Sequence, residues 1–130
     1  MINLEKILCP IDYSEYSKEA LKYAVSLAIK DKAKLYLLHV IDMRTFEDDL
    51  GVIMVKQIND EITKQHKSIL LDYIPKEIRN DIKMEVLVVS GIPFAEIIDI
   101  SNKNNMDMII MVSHGRTGIA HIMLGSVAEK

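Results

Sequence analysis

Met106-Asp107-Met108-Ile109-Ile110-Met111-Val112-Ser113-His114-Gly115-Arg116-Thr117-Gly118-Ile119-Ala120-His121-Ile122-Met123-Leu124-Gly125-Ser126 is the stretch on which the reading of this chain turns. An apolar run of strand length, Met108 to Val112, feeds a glycine-rich loop, and Gly125-Ser126 then opens Val127-Ala128-Glu129 as a helical first turn. Strand, loop and helix in that order suit a phosphate cradle. Backbone N–H groups at a helix start have no intrahelical acceptor and sit at the positive end of the helix dipole, so an anion is stabilised there. Three of the five glycines in the chain fall in this loop. Neither the Walker A pattern nor the Gly-x-Gly-x-x-Gly dinucleotide fingerprint is present. A strand-to-helix turn that uses glycine only for its backbone freedom has the same sequence, and both readings stand at this point.

The upstream chain has the matching alternation. Lys6-Ile7-Leu8-Cys9, ending at Pro10, reads as a short buried strand. A helix follows with Ser14 as N-cap and Glu15 in its first turn, and Leu21, Ala24, Val25 and Ala28 recur at helical spacing to about residue 30. Residues 34–41 form a second strand, apolar nearly throughout, as in a parallel sheet covered on both faces. An acidic excursion over 42–51 leads into a helix over about 52–73, whose stripe is Val55, Ile58, Ile62, Ile69 and Leu70; Pro75 ends it. A third strand spans 83–89. Pro93 then starts a helix near its first position, with Phe94, Ile97, Ile98 and Ile100 facing inward, and the fourth strand begins at Met106 or Asp107. This is an open, doubly wound, Rossmann-like α/β domain with a parallel sheet. Ligands of such sheets bind beyond the carboxyl ends of the strands where strand order reverses, which points to Pro10-Ile11-Asp12 and Ser113-His114-Gly115.

Composition narrows the function classes. A chain of 130 residues with 49% apolar and 27% charged residues is one globular domain with a single core. Its net charge of −3 offers no electrostatic footprint for nucleic acid. The lone Cys9 excludes an intrachain disulfide, and its place in an apolar strand suits an inert thiol. Asn3, Glu5 and Lys6 interrupt the apolar start, so no signal peptide is expected, and no run nears the ~18 apolar residues of a membrane span. The expected location is cytoplasmic.

Ser113-His114-Gly115-Arg116-Thr117-Gly118, followed by Leu124-Gly125-Ser126-Val127-Ala128-Glu129-Lys130, resembles the C-terminal signature of the universal stress protein family. ATP-binding members of that family carry Gly-x2-Gly-x9-Gly-Ser/Thr. Gly115, the nine residues 116–124 and Gly125-Ser126 match, whereas Val112 stands where the first glycine falls. The resemblance covers nearly the whole chain and implies strand order 3-2-1-4-5. The family's final helix and fifth strand lie beyond Lys130, so residues 1–130 read as a single, C-terminally incomplete nucleotide-binding domain of order 3-2-1-4. Its fourth strand is then expected at an exposed apolar edge that invites pairing. The resemblance further implies a homodimeric regulator of stress response that binds ATP, with Mg or Mn, and turns it over little or not at all.

On that resemblance the nucleotide site comprises Pro10, Ile11, Asp12, Val40, Val112, Ser113, His114, Gly115, Arg116, Gly125, Ser126 and Val127. Asp12 would accept hydrogen bonds from ribose hydroxyls; as a plain helix-flanking carboxylate it would instead answer the helix dipole. Pro10, Ile11 and Val40 would line the adenine side, and Val40 reads equally as core. Arg116 and His114 would meet phosphates or water, and Ser126 would bond a phosphate oxygen or cap its own helix. Val112 adds β-branched bulk beside the phosphate path. His39, His66 and His121 have no metal-ligand spacing, and His66 reads as a solvated helix residue. Two other readings remain. A family relative that binds no nucleotide would act through a protein interface. An adenylyl-transfer or pyrophosphatase domain would carry a His-x-Gly-His turn or a Ser-Gly-Gly-x-Asp-Ser loop, and neither occurs.

Overall fold

The computed structural model describes residues 4–42, 60–112 and 120–123. Along the chain these form β1 (Lys6–Pro10), α1 (Glu15–Asp31), β2 (Lys34–Asp42), α2 (Asp60–Leu71), α3 (Lys76–Arg79), β3 (Lys83–Gly91), α4 (Pro93–Lys103), β4 (Met108–Val112) and β5 (Ala120–Met123). They build one sheet in the order β3-β2-β1-β4-β5. The first four strands are parallel, and β5 runs antiparallel against β4.

Period-two alternation divides the core. Ile7 and Cys9 of β1, Leu35 and Leu37 of β2, and Ile110 of β4 face one side, where they pack with Ala20, Leu21, Ala24 and Ala28 of α1 and Leu70 of α2. Leu8, Tyr36, Leu38, Val40 and Ile109 face the other, against Ile97 and Ile100 of α4. Burial on both faces is why the strands read as continuous apolar runs. Each fully buried Leu or Ile contributes about 1.5–3 kcal/mol by leaving water.

The helix ends follow local chemistry. Ser14 Oγ accepts from the Ser17 N–H at 3.1 Å and caps α1. At the other end Lys32 takes a left-handed φ of 55°, and Ala33 N–H reaches back to the Ala28 carbonyl at 2.9 Å. Pro93 sits in the first turn of α4, where its missing N–H leaves no acceptor unserved.

Several expectations need correction. The outer edge of β4 is not open, because Ile109 to Val112 pair with Met123 to Ala120 of β5; a four-residue strand returning beside its predecessor covers backbone groups that would otherwise need another partner. α4 buries Ile97, Ile100 and Ser101, whereas Phe94 and Ile98 are 61% and 42% exposed. The stretch after Pro75 forms the short helix α3. The expected long helix is described from Asp60, and its earlier part lies outside the described residues.

Strands β1 and β2 pair over five positions, from Lys6↔Lys34 to Pro10↔Leu38. β1 and β4 pair at Ile7↔Met108 and Leu8↔Ile109. At the amino end of these two strands Asp107 Oδ2 accepts from the N–H groups of Glu5 and Lys6 at 2.9 and 3.0 Å, and Asp107 N–H returns a bond to the Lys6 carbonyl. The junction is thus tied at its base, while its carboxyl end carries the Pro10 and Val112 exits.

Candidate functional site

The chain leaves β1 at Pro10, which has no N–H to offer a neighbouring strand. Ile11 remains anchored: its N–H donates to the Leu38 carbonyl at 2.7 Å, its own carbonyl accepts from His39 Nδ1 at 2.7 Å, and its side chain is buried. Asp12 follows, exposed, with Oδ1 accepting from the Ser14 N–H at 2.9 Å. Between them Tyr13 takes φ 68°, a left-handed turn that swings the chain into α1. This places a carboxylate beside the amino end of α1, where the helix dipole favours negative charge.

Val40 lies on β2 opposite Val89 and is buried on the α4 side of the sheet. Val112 is the last residue of β4 and pairs with Ala120. The strand order makes β1 the neighbour of both β2 and β4, so the exits at Pro10-Ile11-Asp12, Val40 and Val112 share one end of the sheet. Ser113, His114, Gly115, Arg116, Gly125, Ser126 and Val127, the expected phosphate arm, lie outside the described residues.

A second group of residues gathers under the β1 exit, and sequence reasoning did not assemble it. Tyr13 stacks on His39 at 4.4 Å between ring centroids, and His39 stacks on His66 of α2 at 4.8 Å. The Tyr13 hydroxyl is 2.6 Å from His66 Nδ1, and Tyr73 lies 6.1 Å from the Tyr13 ring. His66 is therefore partly buried and bonded, not solvated. Its pKa is lowered, first by burial and then by the neighbouring His39. Burial, with the nearby Tyr73 phenol, pushes Tyr13 up to about 12. Tyr13 thus keeps its hydrogen at neutral pH, and it donates to Nδ1 when the uncharged His66 carries its own hydrogen on Nε2. His39 must carry its hydrogen on Nδ1, since its partner there is a carbonyl oxygen. The one available signal was His39 itself, a polar residue set in Leu37-Leu38-His39-Val40. No spacing rule links it to a residue 27 positions later.

Cys9 is fully buried and its thiol is pushed up to about 12 by that burial, which keeps it protonated and unreactive. Among the described residues no three His, Cys, Asp or Glu side chains are grouped to hold a metal ion. Among the same residues no helix is long and apolar enough to cross a membrane.

Comparison with known proteins gives a consistent answer. The family model described as "Universal stress protein family" matches residues 3–130. Universal stress protein MJ0577 of Methanocaldococcus jannaschii is 34% identical over 139 positions, covering 96% of this chain and 86% of that protein. Universal stress protein YxiE of Bacillus subtilis is 31% identical, covering 96% and 89%. A solved structure of MJ0577 superposes with a TM-score of 0.70 at 33% identity, over 98% of this chain and 88% of that one.

Proposed function

The chain belongs to the universal stress protein family, and from that premise we propose that it is a homodimeric ATP-binding regulator holding nucleotide at the carboxyl end of β1 and β4. The observation that carries the reading is the pairing of β1 with β4, which sets the exposed Asp12 at the β1 exit beside the strand that leads into Ser113-His114-Gly115. β5 returns along β4 as far as Met123 opposite Ile109, so the role of Gly125-Ser126 in this reading comes from the sequence signature alone. In this reading Asp12 accepts from the ribose hydroxyls, and Pro10, Ile11 and Val40 line the adenine side. The backbone of Ser113, His114, Gly115, Gly125, Ser126 and Val127 holds the phosphates, with Arg116 adding charge-assisted bonds. A divalent ion, Mg or Mn, would enter on the phosphate oxygens, and its positive charge would offset their repulsion. The nucleotide is bound as a signal of state, with little or no turnover, in a cytoplasmic setting.

The fit of the described residues favours this reading in two respects. The Ile11 main chain is bonded on both sides, so the carboxylate that follows it starts from a fixed point. The Val40 side chain is fixed in the core on the α4 side of the sheet, two residues before the end of β2.

Val112 favours a second reading, a family member that binds no nucleotide and works through a protein interface. Melting with ATP and Mg²⁺ separates the two. At a ligand concentration of 100 Kd the folded state gains about 2.7 kcal/mol, or about 10 °C in Tm for a domain of this size. Gly125→Asp, which sets a side chain and a negative charge in the phosphate arm, removes the shift and leaves the ligand-free Tm in place. Mass spectrometry of small molecules released on denaturation checks the same site without added ligand. A folded protein with no shift and no co-purified nucleotide overturns the ATP reading. A dimer that persists on dilution is expected under either.

A further inference from the structure

Three aromatic rings from separate parts of the chain meet directly behind the Asp12 turn. Tyr13 comes from the turn itself, His39 from β2 and His66 from α2. Their centroids lie 4.4, 4.8 and 5.8 Å apart, with planes within 29° of one another. Two hydrogen bonds complete the set. His39 Nδ1–H donates to the Ile11 carbonyl at 2.7 Å, one residue before Asp12, and the Tyr13 hydroxyl, one residue after it, is bonded to His66 Nδ1 at 2.6 Å. The Asp12 turn is therefore held from both sides by imidazoles that stack on each other.

We propose that the Tyr13–His39–His66 stack is a proton-sensitive clamp that positions Asp12 by tying the β1 exit to β2 and α2. In so far as Asp12 is a ribose contact, the consequence for ligand affinity rests on the proposed function above; the clamp itself does not. These three are positioning residues: they act through the Ile11 and Tyr13 main chain.

Protonation changes the sense of the clamp's outer bond. With the neutral His66 in its Nε2–H tautomer, which the proposal assigns, an added proton occupies Nδ1, the lone pair that accepts the Tyr13 hydrogen. The bond can then form only in reverse, from Nδ1–H to the phenol oxygen, and the phenol hydrogen loses its acceptor. The new cation also lies 4.8 Å from a second imidazole, which disfavours a charge on both. Tyr73 follows α2, and Lys18 of α1 holds its ammonium 5.6 Å over the Tyr73 ring while pairing with Glu15. β3 presents Met84, Val86 and Val88 to this side of the sheet. No carboxylate among these contacts faces His66 to welcome its charge, in keeping with its lowered pKa. Tyr13 adopts its left-handed backbone with a bulky side chain, a conformation that persists only where the surroundings enforce it. The stack supplies that enforcement.

The test begins with the unliganded protein. Isotope-labelled protein is titrated from pH 7.5 to 5.0 by NMR, following the His66 imidazole together with the Asp12 and Ser14 backbone amides. The amides are expected to move with the midpoint of His66. In Tyr13→Phe, which keeps the stacked ring and removes the hydroxyl, the imidazole still titrates and the amides no longer follow. His66→Asn, which retains an acceptor oxygen near the Nδ1 position, keeps the neutral-pH amide positions and loses the pH response. Wild-type amides that ignore the His66 titration overturn the clamp, and so do Tyr13→Phe amides that follow it as before.

ATP with Mg²⁺ is then titrated at pH 7.5 and 5.5. Wild-type affinity is expected to fall at least threefold more between these values than that of His66→Asn, a comparison in which protonation of the nucleotide itself cancels. Equal falls in the two proteins overturn the link from clamp to ligand. Amides that follow His66 in a protein that binds no ATP at either pH leave the clamp standing and remove the nucleotide reading.

Discussion

Gly91 ends β3 opposite Asp42, the last residue of β2, and it is the one described glycine whose backbone decides whether another residue can stand there. Its φ of 152° lies in a region that side chains rarely enter, and a Cβ built on it falls 2.7 Å from both Cγ and Oε2 of Glu96 and 2.9 Å from its Cδ. Gly91→Ala therefore carries two penalties of different kinds. The contact is with a single flexible side chain in the first turn of α4, which can rotate away at little cost. The backbone strain has no such escape and amounts to about 1–3 kcal/mol. The expected loss is dominated by that second part and lowers Tm by roughly 4–11 °C for a domain of this length. Urea unfolding followed by far-ultraviolet circular dichroism measures it, with an unchanged m-value showing that the unfolded ensemble is unaltered. Combining Gly91→Ala with Glu96→Ala separates the parts, because deleting the glutamate relieves the contact and leaves the strain. A loss below ~0.5 kcal/mol for the single variant refutes the backbone argument, for that is the range of ordinary surface substitutions. Full recovery in the double variant refutes it as well, since the contact would then account for everything.

Asp107→Ala removes the acceptor shared by the Glu5 and Lys6 N–H groups and should lower stability by about 2–3 kcal/mol, measured by the same unfolding curves; a change under ~0.5 kcal/mol would show that water replaces the carboxylate at no cost. The pH profile of stability should fall at both ends. On the acid side the folded state disfavours a proton on His66, so the unfolded chain binds more protons once pH drops below about 6.5. Stability therefore declines from there and levels off below the lowered folded value; an acid limb unchanged in His66→Asn would contradict this. On the alkaline side Cys9 and Tyr13, both raised to about 12, hold stability that is complete below their ordinary values and is lost as pH climbs toward 12. Native protein should accordingly leave a thiol reagent unreacted at pH 8 until it unfolds.

Those strands and helix ends whose cause is local could be read from the chain. Lys6 to Cys9 stops at a proline, Ser14 carries the hydroxyl that caps α1, and Pro93 sits where a helix tolerates it. The reversal of strand order was not legible from spacing; the resemblance around Gly115 and Gly125 implied it, and the sheet has it. What went astray depended on tertiary partners. Phe94 and Ile98 recur with a helical period, but α4 packs on the sheet through Ile97 and Ile100, and apolar period alone does not say which stripe is buried. β5 is four residues long and pairs with its immediate predecessor, too short a pattern to stand out from a glycine-rich loop. At the candidate site, Ile11 and Val40 were legible as apolar residues at strand ends. The Tyr13–His39–His66 stack was not, because aromatic contact across the fold leaves no periodic trace.

The placement of β1 has a consequence for how the protein comes into being. Of the described strands it is made first, and it is one of the central strands of the finished sheet, with Ile7, Leu8 and Cys9 wholly enclosed. Its bond to Asp107 spans 101 positions of sequence. At about 5–20 residues per second, a ribosome needs roughly 5 to 20 s between making Lys6 and making Asp107. Throughout that interval β1 can find β2 but not β4, and one of its edges is unsatisfied. The growing chain thus passes through a stage in which a strand destined for full enclosure is half-paired, and only the closure of a long loop, the slowest kind of contact to form, gives it its second neighbour. A nascent chain arrested before residue 107 should present that strand to chaperones and to other copies of itself.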